Sequence, residues 1–255
     1  SLPPAGRWLL DVAEAYAPEV GAADRVYSKK ACFLDDETDT CTLDGYEIDP
    51  EFFSALDPMF RLLVRTGSRA FADARTAQLD RSRTGVIIGN LALPSEKSSA
   101  MARDYLGRTF AEQLLGSGVE FPGTGVHPAN RYVAGLPAGL LAKVLCLGGT
   151  CYTLDAACAS SLYAVKLAAD ELLAGRADAM LTGGLSRPDS LYTQMGFSQL
   201  RALSPTGTCS PFDKQGNGLV VGEGCGIFVL KRTEDAVRDG DHIYAVIRAV
   251  GLSND

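Results

Sequence analysis

The sequence predicts an α/β fold with a mainly parallel central sheet flanked by helices, and three observations lead there. Residues 83–90 form a compact apolar run bounded by glycines, the pattern of a strand buried on both faces. Residues 178–185 repeat that pattern, and an apolar helical stretch precedes them, so strand, helix and strand follow in the order of a βαβ unit. The chain has 255 residues, 46% of them hydrophobic, which is enough to bury a substantial core as one large or two small domains.

Element by element, residues 1–57 mix acidic runs such as Asp35, Asp36, Glu37 and Asp39 with scattered aromatics. They show almost no sustained period and read as a peripheral, solvated irregular segment. From Asp57 and Pro58 onward Phe60, Leu63, Val64 and Phe71 recur at helical spacing, which predicts a helix to about Asp73 with proline in its first turn. After the strand at 83–90 comes a polar, helix-prone region to about Leu115, a loop rich in glycine and proline at 116–130, and an apolar helix at 131–147. The chain then turns through 144–149 into a strand that leads to Cys158. Leu162, Val165, Ala169, Leu172 and Leu173 are expected to form the packed face of the next helix, ended by Gly175. Two more strand-like runs, 218–230 and 242–250, flank a charged helix at 233–238.

Composition excludes several classes. A net charge of −7 and a pI near 4.9 give no general attraction to phosphate backbones, so nucleic acid is not an expected partner. No stretch reaches the roughly 18 to 20 apolar residues of a membrane span, and the first residues carry no apolar signal core. The seven cysteines, at 32, 41, 146, 151, 158, 209 and 225, are odd in number and lack C-x-x-C pairs. They point to a reducing, cytoplasmic setting. Six of them are expected to be small buried hydrophobes.

Cys158 differs by context. It follows a short β-branched and apolar stretch and a small-residue turn, and an alanine-rich helical pattern begins just after it. A cysteine at a helix N-terminus faces unpaired N–H groups and the positive end of the helix dipole, which favours the thiolate and can hold an oxyanion. Histidine is scarce. His127, in the loop at 116–130, is the one histidine in a setting fit for a base, although a plain surface role is the expected one, and His242 reads as structural. Gly222, Gly224 and Gly226 alternate within a strand rather than before a helix. That excludes a dinucleotide fingerprint and points to close backbone approach in the sheet. With no Walker loop, H-E-x-x-H or G-x-S-x-G motif, hydride, phosphate and metal mechanisms find no support, and neither a bound cofactor nor a metal is expected.

The run Asp155-Ala156-Ala157-Cys158-Ala159-Ser160-Ser161-Leu162-Tyr163 resembles the active-site signature of β-ketoacyl synthases in the thiolase superfamily. Further landmarks follow in the family's order. Pro4 to Trp8, Phe33 to Asp36, Asp57 and Pro58 followed by Arg61 to Leu63, Arg83 to Val86, Leu200 to Pro205, Pro211 to Asp213, Gly222 to Gly224, and Val229 to Arg232 all match. Alanine at 156 and 159 departs from the modular pattern and is similar to multifunctional polyunsaturated fatty acid synthases and related iterative polyketide synthases.

The resemblance implies a layered thiolase-like fold, of which residues 1–255 are the N-terminal portion, without the family's first strand and C-terminal half. It implies that Cys158 is the nucleophile that accepts an acyl chain from the phosphopantetheine of an acyl carrier protein, with its backbone amide as an oxyanion donor. Decarboxylative Claisen condensation with a malonyl-carrier extender would follow. The family's two catalytic histidines and its lysine have no counterparts here, so the chain alone is expected to be inactive in condensation. Asp213 and Glu223 fall at recurrent acidic positions and are expected to organise loops. The implied partners are the carrier protein, a missing C-terminal half and a second copy in a homodimer. The alternative is a noncatalytic ketosynthase-like module that pairs with another subunit or carrier protein. A thiolase or acyltransferase on the same fold is disfavoured by the landmarks at 211–213 and 222–224.

Overall fold

The computed structural model describes residues 1–34, 46–116 and 123–253. The acidic run at 35–39 lies outside the described residues, as do Cys41 and part of the loop at 116–130. In chain order the helices are α1 (Val12–Ala15), α2 (Pro50–Ala55), α3 (Pro58–Asp73), α4 (Glu96–Leu115), α5 (Leu136–Val144), α6 (Ser160–Leu173), α7 (Ser190–Gln199) and α8 (Thr233–Asp239). The strands are β1 (Thr84–Gly89), β2 (Cys151–Leu154), β3 (Ala179–Ser186) and β4 (Gly224–Leu230).

The four strands form one sheet in the order β2-β1-β3-β4. β1 runs parallel to β2 and β3, and β4 is antiparallel to β3. β1 is buried along its whole length, and alternation divides its side chains between two layers. Val86 and Ile88 join α3 and α5 in one core with Phe60, Leu63, Leu141 and Leu181. Ile87 points the other way, onto Ala164, Ala168 and Leu172 of α6. The result is helix, sheet and helix, with α6 pressed closely on the sheet because the residues it buries are small.

One carboxylate fixes the approach to this core. Asp57, fully buried, caps α3 by accepting from the Met59 amide at 2.9 Å. Its other oxygen accepts from the Lys97 amide in the first turn of α4 at 2.9 Å, and its own N–H donates to Asn130 Oδ1 at 2.7 Å.

Several expectations need correction. The helix placed at 131–147 is shorter. Pro128–Arg131 is a 3₁₀ turn, and α5 starts only at Leu136 with Pro137 in its first turn. The buried face of α6 is Ser160, Ala164, Ala168 and Leu172, whereas Leu162 and Leu173 are 71% and 82% exposed. Close contact with the sheet selects small side chains there, and hydrophobicity alone pointed to the wrong stripe. Gly175 does end the helix, at φ +68. The run 242–250 pairs with no strand among the described residues, and Ile243, Tyr244, Val246 and Ile247 stand exposed. Strand-like composition becomes a strand only where a ladder partner is present. The glycines of β4 are not the site of close approach, since a Cβ on Gly224 or Gly226 would meet nothing within 4 Å. The tight position is Gly183 opposite, where a Cβ would collide with the Gly226 carbonyl oxygen. Nor is the opening segment merely solvated, because Trp8, Ala15 and Val26 pack against Leu191 of α7.

Candidate active site

β2 ends at Leu154, and the four residues to Cys158 make a tight turn before α6. Two side chains close it. Asp155 Oδ1 accepts from the Ala157 amide at 2.9 Å, while Oδ2 accepts from the Ala92 amide in the loop after β1 at 2.8 Å. Ser160 Oγ accepts from the Ala156 amide at 2.9 Å and donates to the Ala157 carbonyl at 2.6 Å. Between these clamps Ala157 is held at φ +50, the left-handed region that a residue with a Cβ rarely adopts. Cys158 follows this elbow directly, and Ala159 is the N-cap of α6. Ala159 contributes no side-chain cap, so no side-chain oxygen of the cap competes for the helix's first N–H groups.

The sheet provides the seat for this turn. Gly89 at the end of β1 and Gly184 in β3 lie under the first turn of α6. Without them the chain could not descend close enough to the strand ends to present Cys158 at the top of the sheet.

Cys158 is exposed and lines a cleft of about 240 Å³. The walls are mainly apolar, with Phe33, Leu91, Leu93, Phe197, Leu219 and Val221 drawn from separate stretches of chain. A thiol at the mouth of such a cleft can hold an apolar chain in covalent linkage while the walls bury its methylenes.

Glu223 borders the same cleft and organises its rim, as the sequence implied. Its carboxylate is nearly buried, pairs with Arg7, accepts from the Leu34 amide at 2.9 Å and lies 3.9 Å from Arg187 Nε. Its own amide donates to the Cys32 carbonyl at 2.9 Å, which ties the opening segment to the chain entering β4. Asp213, also expected to organise a loop, accepts from the Gln215 amide at 2.8 Å. His127 is not among the cleft residues. Its Nδ1 accepts from the Ala129 amide at 3.2 Å and its ring packs edge-on against Phe52, so it caps a turn. His242 packs edge-on against Tyr244.

The expectation that the other cysteines are buried needs correction. Cys32, Cys146, Cys151 and Cys209 are exposed, and Cys32 lines the same cleft as Cys158. Cys225 is the most enclosed of the described thiols, and burial pushes it up to about 12. Sequence reading missed the roles of Asp155 and Ser160 in closing the elbow. The Asp155-x-Ala157 spacing of an Asx turn was the available signal. It also missed α7, whose Asp189 cap accepts from the Tyr192 amide at 3.1 Å, because that helix has no apolar stripe.

Residues 3–236 match the family described as Beta-ketoacyl synthase, N-terminal domain. A mycocerosic acid synthase-like polyketide synthase of Mycolicibacterium smegmatis is 36% identical over 261 residues, covering 99% of this chain and 11% of that protein. A polyunsaturated fatty acid synthase of Thraustochytrium sp. is 36% identical over 244 residues, covering 89% of this chain and 11% of that protein. Among solved structures, a PfaC keto synthase–chain length factor superposes with a TM-score of 0.83 at 35% identity, covering 96% of this chain and 27% of that one. A ketosynthase from module 6 of the bacillaene synthase of Bacillus subtilis 168 does so at 0.70 and 28% identity, covering 96% and 36%. The chain thus spans about a tenth of the length of these curated relatives.

Proposed function

Because the chain belongs to the β-ketoacyl synthase family, we propose that Cys158 is the nucleophile that takes an acyl chain as a thioester. The observation that carries this reading is the exposed Cys158 thiol, raised on a strained elbow at the mouth of a mainly apolar cleft. In the loading step the thiolate attacks the thioester carbonyl of a chain carried on phosphopantetheine. The Cys158 amide helps hold the developing oxyanion. A new S–acyl bond forms, and the pantetheine thiol leaves with the proton.

In the whole protein the acyl group then passes to the carbon that malonyl-carrier exposes as it loses carbon dioxide. One C–C bond forms and the Cys158 thiol is released. Decarboxylation calls for donors to the malonyl thioester. Neither His127 nor His242 is a cleft residue, so condensation requires groups beyond these 255 residues. We therefore assign residues 1–255 the acyl-loading part of a ketosynthase. Its companions are a C-terminal half, an acyl carrier protein and a second copy.

The test is direct. The full chain is incubated with an acyl thioester of N-acetylcysteamine, and the adduct is located by intact mass and peptide mapping. Acyl mass is expected on Cys158 and absent from Cys158→Ala. Acylation spread evenly over the exposed cysteines, or none on Cys158, rejects the assignment. A malonyl-carrier protein added to the loaded chain should give no ketoacyl product unless a second polypeptide is supplied.

A further inference from the structure

The cleft beside Cys158 is mainly apolar, yet one hydroxyl stands open in it. Ser186, the last residue of β3, is exposed and lines the cleft. Strand alternation sets its direction. Leu185 joins the core of α3 and α5, whereas a Cβ on Gly184 would lie 2.7 Å from Ser161 Cβ in the first turn of α6. Ser186, two residues beyond Gly184, therefore shares the α6 face of β3. The helix runs back along that strand, since Leu172 near its end joins the layer of Met180 near the start of β3. From the level of Gly184 and Ser161, two residues of strand rise about 6.6 Å to Ser186, and three residues at helical pitch rise about 4.5 Å back to Cys158. The hydroxyl and the thiol thus stand at nearly the same level above the sheet.

Ser186 Oγ is also lightly engaged. Its one side-chain bond among the described residues is a donation to the Gly222 carbonyl at 3.5 Å, longer than an ordinary O–H···O bond, and its lone pairs are left free. No hydrogen bond joins it to Cys158 among the described residues, so the first atoms of an acyl chain have a place between the two. The other polar side chains on the lining are committed or enclosed. Thr193 Oγ1 donates to the Asp189 carbonyl at 2.8 Å, and Glu223 belongs to its ion pairs. Asn90 continues the Val86 and Ile88 face of β1, away from α6, and its Nδ2 donates to the Val133 carbonyl at 2.8 Å. Ser190 Oγ is closed off from the cleft.

We infer that Ser186 accepts a hydrogen bond from a hydroxyl on C3 of the acyl chain, so that the cleft takes 3-hydroxyacyl thioesters in preference to saturated ones. This rests on the reading of Cys158 as the acyl acceptor. Position follows from the chemistry. Two-carbon extension leaves oxygens on odd-numbered carbons, and with the thioester oxygen turned to the Cys158 amide, the oxygen on C3 is the next along the chain. Selection follows from asymmetry. A saturated chain displaces water from Ser186 Oγ and puts nothing in its place, whereas a 3-hydroxy chain of equal length replaces the lost partner. Ser186 is thus a specificity-determining residue with no part in bond making.

The experiment loads the full chain with N-acetylcysteamine thioesters of octanoate, both enantiomers of 3-hydroxyoctanoate, and 5-hydroxyoctanoate, in pairwise competition. The acyl masses on Cys158 are read by peptide mapping. At least one 3-hydroxy enantiomer is expected to outcompete octanoate by about three- to ten-fold, the worth of one net hydrogen bond, and 5-hydroxyoctanoate to gain no such advantage. Ser186→Ala should bring the ratio close to one, and Ser186→Thr, which keeps the hydroxyl, should retain it. Equal loading of all chains, an equal gain for the 5-hydroxy chain, or a preference that survives in Ser186→Ala overturns the inference while Cys158 stands as the acceptor. Loading of Cys158 by none of them overturns the acceptor reading and this inference with it.

Discussion

Gly89 and Gly184 face each other across the β1–β3 ladder, and the first turn of α6 rests on both. A Cβ on Gly89 would collide with the Ser160 carbonyl carbon and lie 2.6 Å from the Ser161 nitrogen. One on Gly184 would lie 2.7 Å from Ser161 Cβ. Neither neighbour is the tip of a flexible side chain. Gly89→Ala is therefore expected to cost about 1–3 kcal/mol in denaturant unfolding, and to slow Cys158 alkylation by lifting the turn. Gly226→Ala, which meets nothing within 4 Å, is the control and should leave both measurements near wild type.

The elbow yields a pair of opposite predictions. Ala157→Gly relieves a left-handed alanine at φ +50 and should raise stability by about 0.5–1 kcal/mol. Asp155→Ala removes acceptors from the Ala157 and Ala92 amides and should lower stability by about 1–3 kcal/mol. Thermal melts give the two signs. Site-resolved iodoacetamide labelling should show slower reaction at Cys158 in Asp155→Ala only.

Glu223→Gln tests the rim. Arg7 and Glu223 side chains are 6% and 5% exposed, so neutralising the carboxylate leaves a buried guanidinium with Glu96, 2.7 Å from its Nε, as its remaining counter-charge. A loss of about 1–3 kcal/mol, less than for a fully stranded charge, is expected in urea unfolding. If the double substitution Arg7→Met, Glu223→Leu is no more stable than the single one, the cost does not come from the stranded charge.

Acid sensitivity should centre on Asp178, where β3 begins. Arg83 holds it at 2.6 Å and Arg232 at 2.7 Å, and these bonds bring its carboxyl down to about 2. The folded value lies below the ordinary one, so the stabilisation is present above about pH 4 and fades as the pH falls toward 2. Asp178→Asn should be less stable at neutral pH and show a shallower loss of stability across that window, as measured by unfolding at stepped pH.

Much of this fold was legible because its signals are local. The apolar run at 84–89, the Pro58 start of α3 and the Gly175 stop of α6 are each written within a few residues. Cys158 was legible for the same reason, since a strand, a small-residue turn and a helix announce its position. The cleft was not. Phe33, Leu91, Phe197 and Val221 come together only through tertiary packing, and nothing near any of them in sequence marks it as a neighbour of Cys158. The face of α6 was misread because the sheet accepts Ala164 and Ala168 there beside Leu172, while Leu162 and Leu173, counted toward that face by hydropathy, point outward. The run at 242–250 has strand composition, but pairing decides strands, and composition cannot show a partner.

Asp57 makes two parts of the chain settle together. Each of its two oxygens takes one of the free N–H groups at the start of α3 and of α4, beside the Ser95 cap of α4, so neither helix start is complete until residue 57 reaches residue 97. The Met59 and Lys97 amides should therefore exchange with deuterated solvent at a common rate, set by one opening event that frees both helix starts at once. Cooperativity at this corner would come from one shared acceptor, without help from apolar contact between the two helices.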